Sequence, residues 1–221
     1  MKTGELNGKE HLQRFVEKDK GSLEFSPMDP PDAFQPPALD DVPYEKMHIF
    51  LKNLMDEHNT FRKALDNFEL VLNEIQTSGV DRGINERLQI FFSLFDHQII
   101  KHQQLEEKFL YPGLKKKLTT AGEHSNSEEQ ITSIDVMQDD HLKCIQLGAI
   151  VFNFFGISSR LPDQNSRLTM LDLAIEQGKN LIELLKLHMF REDYIVFPQA
   201  NRLFRPEELE EIEIESMLCI K

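Results

Sequence analysis

Two stretches of the chain repeat one pattern: "HQQLEEKFLYP" (102–112) and "HMFREDYIVFP" (188–198). Each begins with a histidine, followed by a glutamate four residues later, an aromatic residue nine later and a proline ten later. Residues four apart on an α-helix are separated by about 40° of rotation and one turn of rise, so they project from the same face. The repeat therefore predicts two helices that each present a His–Glu pair.

A single histidine precedes each of these pairs. His58 lies in "LMDEHNTF" (54–61) and His141 lies in "MQDDHLKC" (137–144), both within apolar stripes at helical spacing. An acidic residue stands directly before each of them. The same order, a single histidine followed by a His–Glu pair, occurs twice along the chain and indicates two related helical hairpins.

The wider pattern of apolar residues predicts four long helices separated by polar breaks, over about 44–76, 85–117, 135–155 and 166–204. "SEEQ" (127–130) resembles a helix start, and Pro112 and Pro198 are expected to kink or end their helices. A short final helix is expected from Pro206. No stretch indicates a strand. We therefore predict an all-α fold, an antiparallel up-and-down four-helix bundle over 44–204 with a short acidic C-terminal helix over 205–221.

Residues 1–43 show no sustained periodicity and contain the proline-rich stretch "SPMDPPDAFQPPALDDVP" (26–43). Because proline lacks a backbone N–H and breaks helices, this segment is predicted to be an extended N-terminal arm.

Composition excludes several classes of partner. The formal charge of −13 disfavours nucleic acids and anionic membrane surfaces, and no apolar run approaches the ~18 residues of a spanning helix. The start of the chain has no apolar core of a signal peptide, and two cysteines do not make a disulfide framework. We expect a cytoplasmic protein without nucleic-acid or membrane partners; the oligomeric state stays open, a homodimer being one option.

If the four helices pack as a bundle, four imidazoles and two carboxylates meet in its interior. They belong to His58, His102, Glu106, His141, His188 and Glu192. Such groups are costly to bury unless their lone pairs find partners, and imidazole with carboxylate suits iron, manganese or zinc. Ferritin-like proteins carry Glu-x-x-His twice, whereas this chain has that motif only once, at Glu45/His48. The H-E-x-x-H motif of zincins does not occur.

These stretches resemble the hemerythrin-like family, or HHE cation-binding domains, over roughly 44–204, with "EEKFLYP" and "REDYIVFP" close to the characteristic endings. The resemblance implies two non-haem iron ions with an oxo or hydroxo bridge in a four-helix bundle. It implies that the same six residues are the ligands, with Glu106 and Glu192 bridging both ions. The set of four histidines and two glutamates is closer to the branch that includes iron–sulfur repair proteins of nitrosative stress.

The chain also departs from part of that family. Oxygen-carrying hemerythrins have H-x-x-x-H on the third helix, where this chain has Ile145 four residues after His141. They also use H-x-x-x-x-D on the last helix, which makes Asp193 a competitor of Glu192; Glu192 is favoured because it mirrors Glu106. With no histidine at 145, we expect both ions to keep an open position for O2, NO or peroxide.

Two classes of function remain open. One is a protein that binds or senses O2 or NO, or handles iron, under oxidative or nitrosative stress. The alternative is a di-iron enzyme with oxidase, peroxidase or NO-reducing activity at the same centre. Intact ligands argue against a third option, a scaffold with a vestigial site.

Overall fold

The computed structural model describes residues 42–125 and 130–219, which are helical and contain no strand. The predicted arm up to residue 41 and most of the "SEEQ" start lie outside the described residues. A 3-10 turn at Tyr44–Lys46 precedes eight helices: α1 (Ile49–Ser78), α2 (Arg82–Leu94), α3 (Ile100–Leu105), α4 (Tyr111–Ala121), α5 (Ser133–Ser158), α6 (Gln164–Arg191), α7 (Phe197–Leu203) and α8 (Pro206–Cys219).

Single π-helical turns join some of these helices into longer rods. Phe95–Ile99 joins α2 to α3, Glu106–Leu110 joins α3 to α4, and Glu192–Val196 joins α6 to α7. The first rod is α1, the second runs from α2 to α4, the third is α5, and the fourth combines α6 and α7. The predicted all-α up-and-down four-helix bundle, and the final helix starting at Pro206, are confirmed.

Side-chain caps set the ends of the rods and explain the shifted boundaries. The first rod begins five residues later than predicted because His48 caps it, its Nδ1 accepting from the Phe50 N–H at 3.2 Å. The second rod begins three residues earlier because Asp81 accepts from the Ile84 N–H at 2.7 Å. It ends at Gly122, whose φ of 78° is the left-handed conformation that glycine adopts without strain.

The second and fourth rods continue through Pro112 and Pro198, so of the two expected outcomes these prolines do not end their helices, and a kink stays a prediction. A π-turn precedes each proline, with the Tyr111 N–H bonding to the Glu106 carbonyl and the Phe197 N–H to the Glu192 carbonyl. Proline has no N–H and its ring clashes with the carbonyl four residues back, and a widened turn relieves that conflict. Each repeated glutamate thus starts a π-turn.

The core consists of two hydrophobic clusters with a polar layer between them. The first cluster includes Phe61, Leu65, Phe68, Phe91, Cys144, Leu185 and Met189. The second cluster includes Leu51, Leu54, Tyr111, Leu114, Ile134, Phe197 and Ala200. The histidines and glutamates of the repeat are buried between these two clusters.

The third rod is more apolar than expected from the sequence. By length and composition alone α5 passes the test for a membrane-crossing helix, with a mean hydropathy of 1.2 in its most apolar window, and it is the one such helix in the described part of the chain. In the bundle it packs against α6 and contributes the buried Asp140 and His141. Of its most apolar window 28% is buried inside the bundle, and one such helix is weak evidence for a membrane span.

Two glycines of α5 offer a matched test of core packing. A Cβ at Gly148 would lie 2.5 Å from Cζ of the buried Phe95, whereas a Cβ at Gly156 would meet nothing within 4 Å. We expect Gly148→Ala to lower the free energy of unfolding by ~1–3 kcal/mol through overpacking. Gly156→Ala should raise it by ~0.5–1 kcal/mol, because alanine is the better helix former. Urea denaturation checks both; equal effects of the two variants would contradict the packing.

Candidate metal centre

The structure brings all six predicted site residues into the polar layer of the bundle. Each of these six residues is at most 5% exposed. Each rod contributes one histidine, and the π-turns of the second and fourth rods contribute the glutamates. The residues are His58 on α1, His102 on α3, Glu106 in its π-turn, His141 on α5, His188 on α6 and Glu192 in its π-turn.

The histidines form two half-sites. In the first half-site, Nε2 of His58 lies 3.0 Å from Nε2 of His102. In the second, Nε2 of His141 lies 2.9 Å from Nε2 of His188. Each pair thus joins the lone histidine of one hairpin to the histidine of its own His–Glu pair.

The two glutamates span both half-sites. Glu106 Oε1 lies 3.3 Å from His102 Nε2 in the first half-site, and Glu106 Oε2 lies 3.5 Å from His141 Nε2 in the second. Likewise Glu192 Oε2 lies 3.3 Å from His58 Nε2, and Glu192 Oε1 lies 3.2 Å from His188 Nε2. Two groups of four donors result, one per half-site, which share both glutamates and have ligand atoms within 4.8 Å of one another. Both carboxylates are therefore placed to bridge two ions.

The outer nitrogens of the first half-site are held by carboxylates. His58 Nδ1 lies 2.8 Å from Asp193 Oδ1, and His102 Nδ1 lies 2.7 Å from Glu57 Oε2. Ionised carboxylates only accept hydrogen bonds, so each Nδ1 carries the hydrogen and each neutral ring has its lone pair on Nε2. Two such lone pairs face each other at 3.0 Å, an arrangement that requires a cation or a proton between them.

The second half-site follows the same plan with one weaker link. His141 Nδ1 lies 2.9 Å from Glu107 Oε1. His188 Nδ1 faces Asp140 at 3.7 Å, which is too long for a hydrogen bond, and Asp140 is bound by Arg191 Nη1 at 2.7 Å. Carboxylates that orient the far nitrogen of a histidine are typical of metal ligands.

The facing nitrogens of each half-site are close enough to bind one ion together. Two nitrogens with bonds of about 2.1 Å to the same ion lie ~3.0 to ~3.4 Å apart for angles between about 90° and the tetrahedral angle. The observed separations are 3.0 and 2.9 Å. Both oxygens of Glu106 and one of Glu192 are buried without a hydrogen-bond partner among the described residues. An ion in each half-site would satisfy these lone pairs.

Burial and charge give the two glutamates different acidities. Burial raises the pKa of Glu106, and repulsion from Glu192 raises it further. Burial also acts to raise the pKa of Glu192, but the rings of His188 and His58 outweigh it and hold that pKa well below its ordinary value. Burial lowers the pKa of His188, yet the charge of Glu192 raises it to about 10.

The aromatic residues of the repeat pack on the histidines. Tyr111 stacks on His141 with ring centroids 5.5 Å apart, and Phe197 stacks on His58 at 5.6 Å. The Tyr111 hydroxyl donates to Glu192 Oε1 at 2.5 Å. Burial and the nearby carboxylates raise the pKa of Tyr111 well above its ordinary value, so the phenol keeps its proton and remains a donor.

The structure shows where Asp193, the competitor of Glu192, and Ile145 lie relative to the donor groups. Asp193 belongs to neither donor group; it holds the outer nitrogen of His58 and is itself bound by Arg62. Ile145 is 48% exposed, so its side chain lies away from the two donor groups, and the expectation that both ions keep an open position stays a prediction. The inward residue of that turn is Cys144, whose pKa burial raises to about 12, so it stays a thiol.

Sequence reasoning missed the carboxylates that hold the histidines. Glu57 and Asp140 stand one residue before the lone histidines, and Glu107 and Asp193 stand one residue after the repeated glutamates. Glu57, Glu107 and Asp193 each bind the outer nitrogen of a histidine on another rod, and Asp140 lies 3.7 Å from His188 Nδ1. These acids, each next to one of four predicted ligands, were visible in the sequence, but only the packing of the rods shows their partners.

A small cavity lies between the donors and the first cluster. Its volume is about 10 Å³, about the room that one water molecule occupies. Its lining beyond the donors is apolar except for the buried Gln103, and consists of Phe61, Leu65, Ile99, Leu185, Met189 and Gln103. The Gln103 Oε1 atom has no hydrogen-bond partner among the described residues. Only a very small molecule fits beside the donors.

The comparisons with known proteins agree with this geometry. Residues 50–200 match the family described as the hemerythrin HHE cation binding domain. The chain belongs to this family. Hemerythrin domains bind metal cations, and the two His/Glu groups are compatible with that role. Searches of curated proteins and of solved structures found no significant match.

The carboxylate behind His58 should strengthen metal binding in this hemerythrin domain. We expect Asp193→Asn to lower the affinity for Co²⁺ by about 10- to 100-fold, because the imidazole loses the charge that orients it. Asp66→Asn is the control, since Asp66 is exposed and forms an ion pair with Lys186 at 2.9 Å. Competition with a chromophoric chelator measures both; an unchanged affinity in Asp193→Asn would refute the role.

Metal binding should release protons. The raised pKa values of His188 and His102 mean that both rings hold protons at pH 7 without an ion, and a metal must displace them. We therefore expect the affinity for Co²⁺ to rise with pH between about 6 and 9. Calorimetry in buffers of different ionisation enthalpy counts the protons. Binding without proton release would contradict the protonated state of these two rings.

Proposed function

We propose that the chain holds two non-haem iron ions, bridged by Glu106, Glu192 and an oxo or hydroxo group, and that it binds or senses O2 or NO, or handles iron, under oxidative or nitrosative stress. The observation that carries the proposal is the pair of inward-facing Nε2 atoms in each half-site, 3.0 and 2.9 Å apart, flanked by carboxylates that reach both half-sites. Two irons in this place supply redox chemistry and coordination positions for small ligands.

Each ion would be held by two histidines and one oxygen from each glutamate. When bound, the ions would supply redox chemistry and a place for a small ligand such as O2, NO or peroxide. The polypeptide orients the imidazoles through buried carboxylates, excludes bulk water by closing two hydrophobic clusters over the layer, and limits an incoming molecule to the small cavity.

Binding is favoured over catalysis by the lining of the cavity. An enzyme at the same centre, whether oxidase, peroxidase or NO reductase, needs a group that delivers protons to the bound molecule. Among the described residues, the non-ligand lining offers one polar side chain, Gln103, which is no acid. From the charge of −13 and the cysteine count we also propose a cytoplasmic location and no nucleic-acid or membrane partner.

The test is to load the metal-free protein with Fe²⁺ under anaerobic conditions and mix it rapidly with O2, NO or H2O2. We expect two irons per chain and a stable, reversible adduct with O2 or NO, seen by absorption. Continued turnover of H2O2 or NO would favour the enzyme alternative.

A matched pair of variants controls the loading. His102→Ala should abolish stoichiometric iron binding. His97→Ala should retain two irons, because His97 is exposed and its Nδ1 lies 2.9 Å from the Ser93 carbonyl, away from the centre. Wild-type protein that retains no iron would overturn the proposal.

A further inference from the structure

The two hairpins build the centre from equivalent residues, but one equivalent pair differs in its chemistry. The lone histidine, the His–Glu pair and the aromatic residue have the same order in both hairpins. The aromatic residue is Tyr111 in the first and Phe197 in the second, both 0% exposed and both stacked on a histidine. The hydroxyl oxygen of Tyr111 therefore breaks the internal symmetry at the metal layer.

That oxygen gives the two bridging carboxylates unequal support. The Tyr111 hydroxyl donates to Glu192 Oε1 at 2.5 Å, a short bond of the kind made to charged acceptors. Phe197 has no hydroxyl to offer Glu106. Accordingly both oxygens of Glu106 lack a hydrogen-bond partner within the described chain, and its contact with the second half-site, at 3.5 Å, is the longest of the four.

A carboxylate oxygen has more than one lone pair, so Glu192 Oε1 can accept from Tyr111 and still face an ion. The hydrogen bond removes the freedom of the Glu192 side chain before any metal arrives. Glu106, in the matching π-turn, has no hydroxyl partner among the described residues, and its polar contacts are those to His102 and His141 at 3.3 and 3.5 Å. A bridging ligand with such freedom can release one ion while it keeps the other.

We propose that Tyr111 is a positioning residue that fixes Glu192 as the permanent bridge and leaves Glu106 as the bridge through which ions enter and leave. The inference rests on the proposed function, because it assumes two ions between the glutamates. It supports a centre that exchanges its iron, as an iron-handling protein requires, over one that keeps it permanently.

The internal symmetry supplies the test, because the hydroxyl can be removed, added or moved. Tyr111→Phe leaves no fixed bridge, Phe197→Tyr gives two, and the double variant transfers the single hydroxyl from Glu192 to Glu106. Zn²⁺- or Co²⁺-loaded proteins are mixed with excess chelator, and the rate of metal release is followed by absorption. Loss of a hydrogen bond that orients a ligand typically changes metal affinity by about 10- to 100-fold.

We expect release to be at least about tenfold faster in Tyr111→Phe and at least about tenfold slower in Phe197→Tyr. The double variant should return to within about threefold of the wild type, since the number of fixed bridges is again one. If the hydroxyl added at Phe197 restores the release rate of Tyr111→Phe, the effect of Tyr111→Phe is one of positioning. A packing defect at Tyr111 would not be repaired by a hydroxyl at another position.

Two results would overturn the inference: a Tyr111→Phe release rate equal to that of the wild type, or a double variant as fast as Tyr111→Phe. If Phe197→Tyr and the double variant melt well below the wild type, the Tyr111→Phe rate alone decides. Failure of the proposed function is recognised separately, because a protein that binds Zn²⁺ or Co²⁺ but forms no adduct with O2 or NO still yields the release rates. A wild type that binds no divalent ion overturns both.

Discussion

The structure depends on one constraint, the burial of four imidazole lone pairs and two carboxylates at the centre of a hydrophobic bundle. Burying a single unpaired carboxylate costs several kcal/mol, and facing nitrogens at about 3 Å repel each other unless a positive charge lies between them. A proton on His102 and on His188 meets this requirement in the metal-free protein, and bound cations would meet it in the loaded protein. The outer carboxylates and the π-turns hold the imidazoles and the glutamates in place.

The helices are adapted to this demand in two ways. The π-turns at Glu106 and Glu192 let the rods pass a proline directly after the ligand segment, so the chain below the metal layer continues into the second cluster. The outer nitrogens of three of the four histidines meet a carboxylate at 2.7 to 2.9 Å. These contacts select the tautomer whose free lone pair points inward, and a bundle of plain amphipathic helices would not provide them.

The sequence predicted the fold and the convergence of six residues because both follow from local spacing. His102 and Glu106 are four residues apart and so lie on the same face of their helix. His188 and Glu192 have the same spacing, so their helix presents an equivalent pair. The partners of those residues could not be predicted this way, because Glu57 meets His102 and Asp193 meets His58 only through packing between rods. The exposure of Ile145 and the burial of Cys144 likewise depend on how α5 packs against the other rods, which local spacing does not decide.

The charges around the layer would suit the two ions of the proposed centre. The bridging Glu106 and Glu192 and the four outer carboxylates carry six negative charges when ionised, and Arg62 and Arg191 compensate two through Asp193 and Asp140. Four negative charges remain when the imidazoles are neutral. Two divalent ions would neutralise them, and so would two trivalent ions with the doubly charged oxo bridge of the proposed centre. Because Glu106, Glu192, Asp140 and Asp193 are buried, a centre with the same net charge in both states would change its oxidation state at a lower electrostatic cost than one whose charge changed.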